Sequence, residues 1–133
     1  MEILGPSDVA ALEHLCERLP EILPDRPACL THGDLWAQNV LADDAGVPAL
    51  VDPAVSFTWA EVDIAHLWST GPPPEAAAFF GRYAEITGLD PGWRERAPVI
   101  QLRQHLAVLA QYGDRWGTAE AVRATLAPFR RRG

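Results

Sequence analysis

The sequence predicts an α+β fold that is predominantly helical and carries one small β-hairpin. Three features lead to that expectation. Apolar residues recur at three- and four-residue spacing through most of the chain, which is the helical period. Two short apolar runs, Val40-Leu41-Ala42 and Ala49-Leu50-Val51, flank a stretch dense in turn formers. Strands and helices do not alternate, so a βαβ sheet gives way to a helical domain with a minor β element. All of residues 1–133 are read as a single domain, a length sufficient for a core of its own.

Taken in order, Gly5-Pro6-Ser7 reads as a turn, with Ser7 as N-cap and Asp8 in the first helical turn, where the helix dipole favours an anion. Val9, Leu12, Cys16 and Leu19 give that helix an apolar face, and Pro20 and Pro24 close it. Pro24-Asp25-Arg26-Pro27 is a loop, and Ala28-Cys29-Leu30 leads into His32. Between the arms of the hairpin lies Asp43-Asp44-Ala45-Gly46-Val47-Pro48. A helix is expected from Ala60 to about Ser69, with Val62, Ala65 and Leu67-Trp68 inward. After the break at Gly71-Pro72-Pro73-Pro74, Glu75 to Ile86 should be helical and end near Gly88, with Phe79, Phe80, Tyr83 and Ile86 buried. Asp90-Pro91 caps another helix, which kinks or restarts at Pro98 and carries Val99, Leu102, Leu106 and Leu109 to about Gly113. Thr118 caps a last helix through about Phe129, with Ala121, Thr125 and Leu126 inward.

Composition narrows the function. A formal charge of −7 argues against a nucleic-acid surface, and Arg130-Arg131-Arg132 reads as a solvated tail. No apolar run is long enough to span a membrane and the N-terminus lacks a signal-peptide pattern, so the chain reads as cytoplasmic. Cys16 and Cys29 form no C-x-x-C pair and read as reduced, packed thiols.

The chemistry concentrates in His32-Gly33-Asp34-Leu35-Trp36-Ala37-Gln38-Asn39, followed by Asp52-Pro53-Ala54. Antiparallel arms of similar length bring their outer ends side by side, so Asn39 and Asp52 are expected to be neighbours. An amide oxygen and a carboxylate converging there suit Mg²⁺, which takes hard oxygen ligands and keeps positions for water and phosphate. Asp34, just before the hairpin, is placed to take a proton from a hydroxyl being phosphorylated. Kinase-type phosphoryl-transfer sites follow this order: a base Asp, a metal-binding Asn five positions on, then a metal-binding Asp. His32 is expected to orient the loop through a hydrogen bond, and Trp36 to pack. His66 has no second ligand beside it and reads as a packed or surface histidine.

The stretch HGDLWAQNVL followed by PALVDPAVSFTWAEVDIAHLW resembles the fructosamine (ketosamine) kinase family, within the wider aminoglycoside-phosphotransferase and choline-kinase group. The Leu-Trp after the HGD, the Asp-Pro-Ala and the Glu-Val-Asp-Ile-Ala point to that branch. The resemblance implies the C-terminal lobe of a protein-kinase-like fold, with ATP and Mg²⁺ as cofactors and a small molecule, a glycated amine or related polyol or amine, as acceptor. It implies Asp34 as catalytic base, Asn39 and Asp52 as magnesium ligands, and Asp63 as a structural support of the catalytic loop. The residues differ from the family pattern at Gln38, where a glycine is usual, at Ser56 and Phe57, and at Ala107-Val108-Leu109-Ala110, where polar groups near a sugar are usual.

All 11 cationic residues are Arg, and no glycine-rich phosphate loop occurs. Kinases of this fold hold the nucleotide phosphates with an N-terminal-lobe Lys. The ATP-clamping lobe is therefore expected to be absent from these residues and to come from elsewhere, in cis or in trans. Three functions compete: half of a small-molecule kinase (ketosamine, aminoglycoside or choline type), an inactive binding module of the same fold, and an unrelated metal-dependent hydrolase using His32, Asp34 and Asp52.

Overall fold

A computed structural model describes residues 3–130. In chain order the elements are α1 (Pro6–Ile22), β1 (Cys29–Thr31), a 3₁₀ turn (Ala37–Asn39), β2 (Val40–Ala42), β3 (Pro48–Leu50), β4 (Ser56–Thr58), α2 (Glu61–Ser69), α3 (Ala76–Thr87), α4 (Trp93–Tyr112), α5 (Thr118–Leu126) and a closing 3₁₀ turn (Ala127–Phe129). The fold is predominantly helical α+β, as the periodicity predicts. The chain divides into two compact units: Arg26–Ile100, and the described residues of Met1–Asp25 with Gln101–Gly133.

The Arg26–Ile100 unit holds both sheets. β2 and β3 form the predicted hairpin with the second arm one residue earlier than expected, so that Val40 lies opposite Leu50, Leu41 opposite Ala49 and Ala42 opposite Pro48, which joins the strand instead of the turn. Its turn is tied by the Asp43 carboxylate, which accepts the Ala45 and Val47 N–H groups at 2.9 and 2.8 Å. A second antiparallel pair, β1 with β4, aligns Cys29 with Thr58 and Thr31 with Ser56. Three-residue strands separated by 25 positions carry no local pairing signal, which is why the sequence does not announce them. The core of this unit is Leu35, Ile64, Leu67, Phe80 and Trp93, with Ala76, Tyr83 and Leu89 packed against it. Ile64 belongs to that core, whereas Trp68 is 39% exposed and meets Phe80 and Trp93 edge-on. On α3 only Phe80 is buried; Phe79 and Ile86 are exposed because the helix packs along a narrower stripe than its apolar content suggests. Gly88 ends α3 in the left-handed conformation, φ +63°.

The same unit contains a buried ion pair. Arg96 grips Glu61 bidentately, Nε to Oε2 at 3.0 Å and Nη2 to Oε1 at 2.7 Å, and reaches Asp90 Oδ1 at 2.9 Å. The hydrogen bonds to Glu61 raise the proton affinity of the guanidinium, and that from Arg96 holds the Asp90 carboxyl below its ordinary value. α4 begins at Trp93 and does not restart at Pro98, which lies inside it.

In the other unit α1 packs on α5 and on the closing 3₁₀ turn. The buried face of α1 is Asp8, Ala11 and Leu15, one position around the helix from the expected stripe, so Cys16 is exposed instead of packed. The cap is Gly5, one residue before Pro6, and Asp8 Oδ2 reaches back to the Gly5 N–H at 3.0 Å. Pro20 lies within α1, which continues to Ile22. Asp8 is buried because Arg123 and Arg130 pair with it, so Arg130 is a structural partner rather than part of a solvated tail. Arg131 and Arg132 lie outside the described residues. At α5 the cap is Gly117, φ +72°, and Asp114 supplies the carboxylate that accepts the Ala119 N–H at 3.0 Å. Ala119, Val122, Leu126 and Phe129 are buried there.

Candidate functional site

The loop from His32 to Asn39 is held between β1, the hairpin and α2, all within the Arg26–Ile100 unit. β1 brings the chain in, and Thr31 Oγ1 donates to the Ser56 carbonyl on β4 at 2.9 Å. Gly33 follows at φ +82°, and a Cβ there would stand 1.9 Å from the Ala54 carbonyl oxygen. Only glycine lets the loop lie directly on the segment after Asp52.

Asp63 on α2 accepts two main-chain hydrogen bonds from this loop. Its Oδ2 takes the His32 N–H at 2.7 Å and its Oδ1 the Gly33 N–H at 2.8 Å. The His32 ring spans the loop and the hairpin. Val51's carbonyl can only accept, so Nε2, 2.9 Å away, carries the hydrogen. Nδ1 is then the acceptor for the Asp34 N–H at 3.3 Å. The ring ties the backbone of Asp34 to the residue preceding Asp52.

Asp34 and Asn39 meet directly. Asn39 Nδ2 donates to the Asp34 carbonyl at 2.9 Å and lies 3.4 Å from its Oδ2. Asn39 is buried, with its own carbonyl accepting the Val51 N–H at 3.0 Å, which continues the hairpin ladder outward from the Val40–Leu50 pair. Asp52 comes next in the chain, exposed and in the left-handed region at φ +53°. A non-glycine residue held there is strained, and such strain collects at functional sites. No hydrogen bond or ion pair engages the Asp52 carboxylate among the described residues. Gln38 is exposed, while Leu35 is buried beside Asp34 and anchors it to the core.

This donor set fits a hard divalent cation. Because Nδ2 of Asn39 is committed to Asp34, the amide oxygen is the atom left to offer, and the Asp52 carboxylate is uncommitted. Two oxygen ligands are few for a cation held by protein alone, and among the described residues no cluster of three or more His, Cys, Asp or Glu could hold a metal. A pair of oxygens suits Mg²⁺, which keeps waters and binds substrate phosphates.

One contact was not legible in the sequence: His66 Nε2 stands 3.2 Å from Asp34 Oδ1. The usable signal is its spacing, three residues after Asp63, which puts both on one face of α2. Glu61, two residues before Asp63 on α2, is paired with Arg96 instead of the loop.

Among the described residues no helix is long and apolar enough to cross a membrane. A family model described as fructosamine kinase matches residues 5–127. A protein of Enterococcus faecium described as a ketoamine kinase is 43% identical over 90 residues, 67% of this chain and 31% of that protein. A chloroplastic protein-ribulosamine 3-kinase of Oryza sativa subsp. indica is 33% identical over 78 residues, 59% of this chain and 22% of that protein. The crystal structure of a Thermobifida fusca protein described as a fructosamine-3-kinase superposes with a TM-score of 0.80 at 31% identity, covering 94% of this chain and 44% of that one. The chain thus spans about a third or less of these curated relatives.

Proposed function

The chain belongs to the fructosamine kinase family, and from that membership we propose that its loop and hairpin form the acceptor- and metal-binding half of an ATP- and Mg²⁺-dependent kinase for a hydroxyl of a ketoamine, the adduct of a sugar with an amine. The observation that carries this reading is the hydrogen bonding of Asn39, by side chain to Asp34 and by main chain to the residue before Asp52.

In this reading Asp34 is the general base. Its carboxylate takes the proton of the acceptor hydroxyl as that oxygen bonds to the transferred phosphorus and the bond to the nucleoside diphosphate breaks. Asn39 Oδ1 and the Asp52 carboxylate hold Mg²⁺, which when bound neutralises phosphate charge. Asp63 and His32 keep the loop backbone in place through the hydrogen bonds described above. The phosphates need a further clamp, because transfer depends on in-line positioning. With no Lys among its 133 residues, the chain relies on a nucleotide lobe supplied in cis or in trans. We place the protein in the cytoplasm, where ATP is available and the free thiols Cys16 and Cys29 stay reduced.

The same lack of Lys favours a second reading, a non-catalytic binding module of this fold. Calorimetry with ATP and Mg²⁺ on the 133-residue chain, followed by a transfer assay on a glycated lysine, separates the readings. We expect ATP binding in the millimolar range or weaker and no transfer by the chain alone. Recovery of transfer when a nucleotide lobe is added supports the kinase; no transfer in either form supports the binding module. Micromolar ATP binding with transfer by the chain alone would overturn the need for a second lobe.

A further inference from the structure

We propose that His66 is a positioning residue for the base: it holds one carboxylate oxygen of Asp34 so that the other oxygen faces the acceptor hydroxyl. The proposal rests on the reading of Asp34 as the base, and its test separates the two.

Asp34 has two short side-chain torsions and a side chain 39% exposed, so its carboxylate is free to turn unless something grips it. Two side chains reach it. Asn39 Nδ2 lies 3.4 Å from Oδ2, a long contact, and that amide group is already committed to the Asp34 main-chain carbonyl at 2.9 Å. His66 Nε2 lies 3.2 Å from Oδ1 and comes from a separate, hydrogen-bonded element, α2. Its side chain is only 13% exposed, so water competes poorly for the contact. A carboxylate only accepts, so Nε2 must carry the hydrogen.

The placement of His66 follows from the helix. Three residues earlier on α2, Asp63 accepts the N–H groups of His32 and Gly33 at 2.7 and 2.8 Å. The same helix face therefore holds the loop twice, once by the main chain before Asp34 and once by the Asp34 side chain itself. Ile64, Ala65 and Leu67, buried around His66 in the chain, hold that face in register. With Oδ1 occupied by His66, the Oδ2 edge takes the acceptor's proton as the new oxygen–phosphorus bond forms and the nucleoside diphosphate leaves. His66 donates a hydrogen bond throughout and undergoes no net protonation change.

The test compares His66→Met, which keeps bulk and removes the donor, with His66→Gln, whose amide nitrogen can take the place of Nε2. In the form of the protein that turns over, His66→Met is expected to lower kcat about ten- to a hundredfold, the scale of a misplaced reacting group, with both KM values within about twofold. His66→Gln is expected to recover kcat to within about threefold of the parent. Unchanged kcat in His66→Met, or equal loss in both variants, overturns the proposal. Asp34→Asn run alongside separates the readings: if it keeps full turnover the base assignment fails, whereas a dead Asp34→Asn beside a fully active His66→Met defeats only the role of His66. A readout independent of turnover is the imidazole ¹⁵N spectrum of the 133-residue chain. Asp34→Ala is expected to shift the His66 Nε2–H signal, and an unmoved signal overturns the contact.

Discussion

Replacing Gly33 by alanine is predicted to disrupt the loop from His32 to Asn39, and the structure supplies the size of the effect. The added Cβ would stand 1.9 Å from the Ala54 carbonyl oxygen and 2.8 Å from its carbon, against backbone rather than a movable side-chain tip. The alanine would also sit at φ +82°, where an L-residue costs about 1–2 kcal/mol. Relieving the collision moves either the loop or the segment after Asp52, and moving the loop breaks the Gly33 N–H bond to Asp63, now 2.8 Å. A hydrogen bond to a carboxylate contributes roughly 1.5–3 kcal/mol, so the total is about 2.5–5 kcal/mol. For a chain of this size that is a fall in Tm of roughly 10–20 °C. Thermal unfolding followed by circular dichroism measures it, and amide hydrogen exchange at His32 and Gly33 localises it. Gly46→Ala is the control: its φ is +78° but nothing lies within 4 Å of the added Cβ, so only the backbone strain of about 1–2 kcal/mol applies. Equal losses in the two variants would refute the argument that the Ala54 contact dictates glycine at position 33.

Three more predictions follow from the same geometry. Arg96→Met leaves the buried Glu61 carboxylate without its bidentate partner and is expected to cost about 3–5 kcal/mol in urea unfolding; a loss below about 1 kcal/mol would show that water replaces the guanidinium. Burial by itself would raise the Asp8 carboxyl, but hydrogen bonds from Arg130, the Gly5 N–H and Arg123 outweigh it and hold its pKa below the ordinary 3.8. With the folded value the lower one, Asp8 contributes stability that is complete above the unfolded value and is lost as pH falls through 3.8 toward the folded value. The stability difference between the parent and Asp8→Asn, measured from pH 6 down to about 2.5, is therefore expected to shrink below about pH 4, and a constant difference would contradict this. Finally, in a form that turns over, the proposed role of Asp34 as base predicts that Asp34→Asn lowers kcat by about 10²–10⁴ while nucleotide affinity holds; turnover near that of the parent would end its assignment as base.

The legible part of this protein is the part decided by near neighbours. Turn formers between two apolar runs are enough to specify the β2–β3 hairpin but not its register: arms of equal length would pair Ala42 with Ala49, whereas Ala42 lies opposite Pro48. The observed register brings Val51, the residue before Asp52, opposite Asn39 instead of Asp52 itself, so some twenty consecutive residues outlined the candidate site but missed its alignment by one position. Helix positions were likewise visible, because a 3.6-residue period is a local property. Their burial was not: Phe79 and Ile86 share the apolar pattern of Phe80 but face solvent, and the inner face of α1 is centred on Leu15 beside an ion-paired Asp8 rather than on Cys16. Caps misled for a related reason. Gly5 and Gly117 carry no side-chain signal, and the carboxylates that replace it come from Asp8 and Asp114, on either side of the expected cap residues. Tertiary structure alone decided the contacts that bridge long separations: β1 with β4 across 25 residues, Asp63 with the loop across 30 and 31, and Glu61 with Arg96 across 35. Asp34 with His66 is of the same kind. A carboxylate or imidazole looks the same in sequence whether it caps its own helix or crosses to another element. Which it does depends on how the intervening chain closes, and on the cost of leaving a buried polar group without a partner.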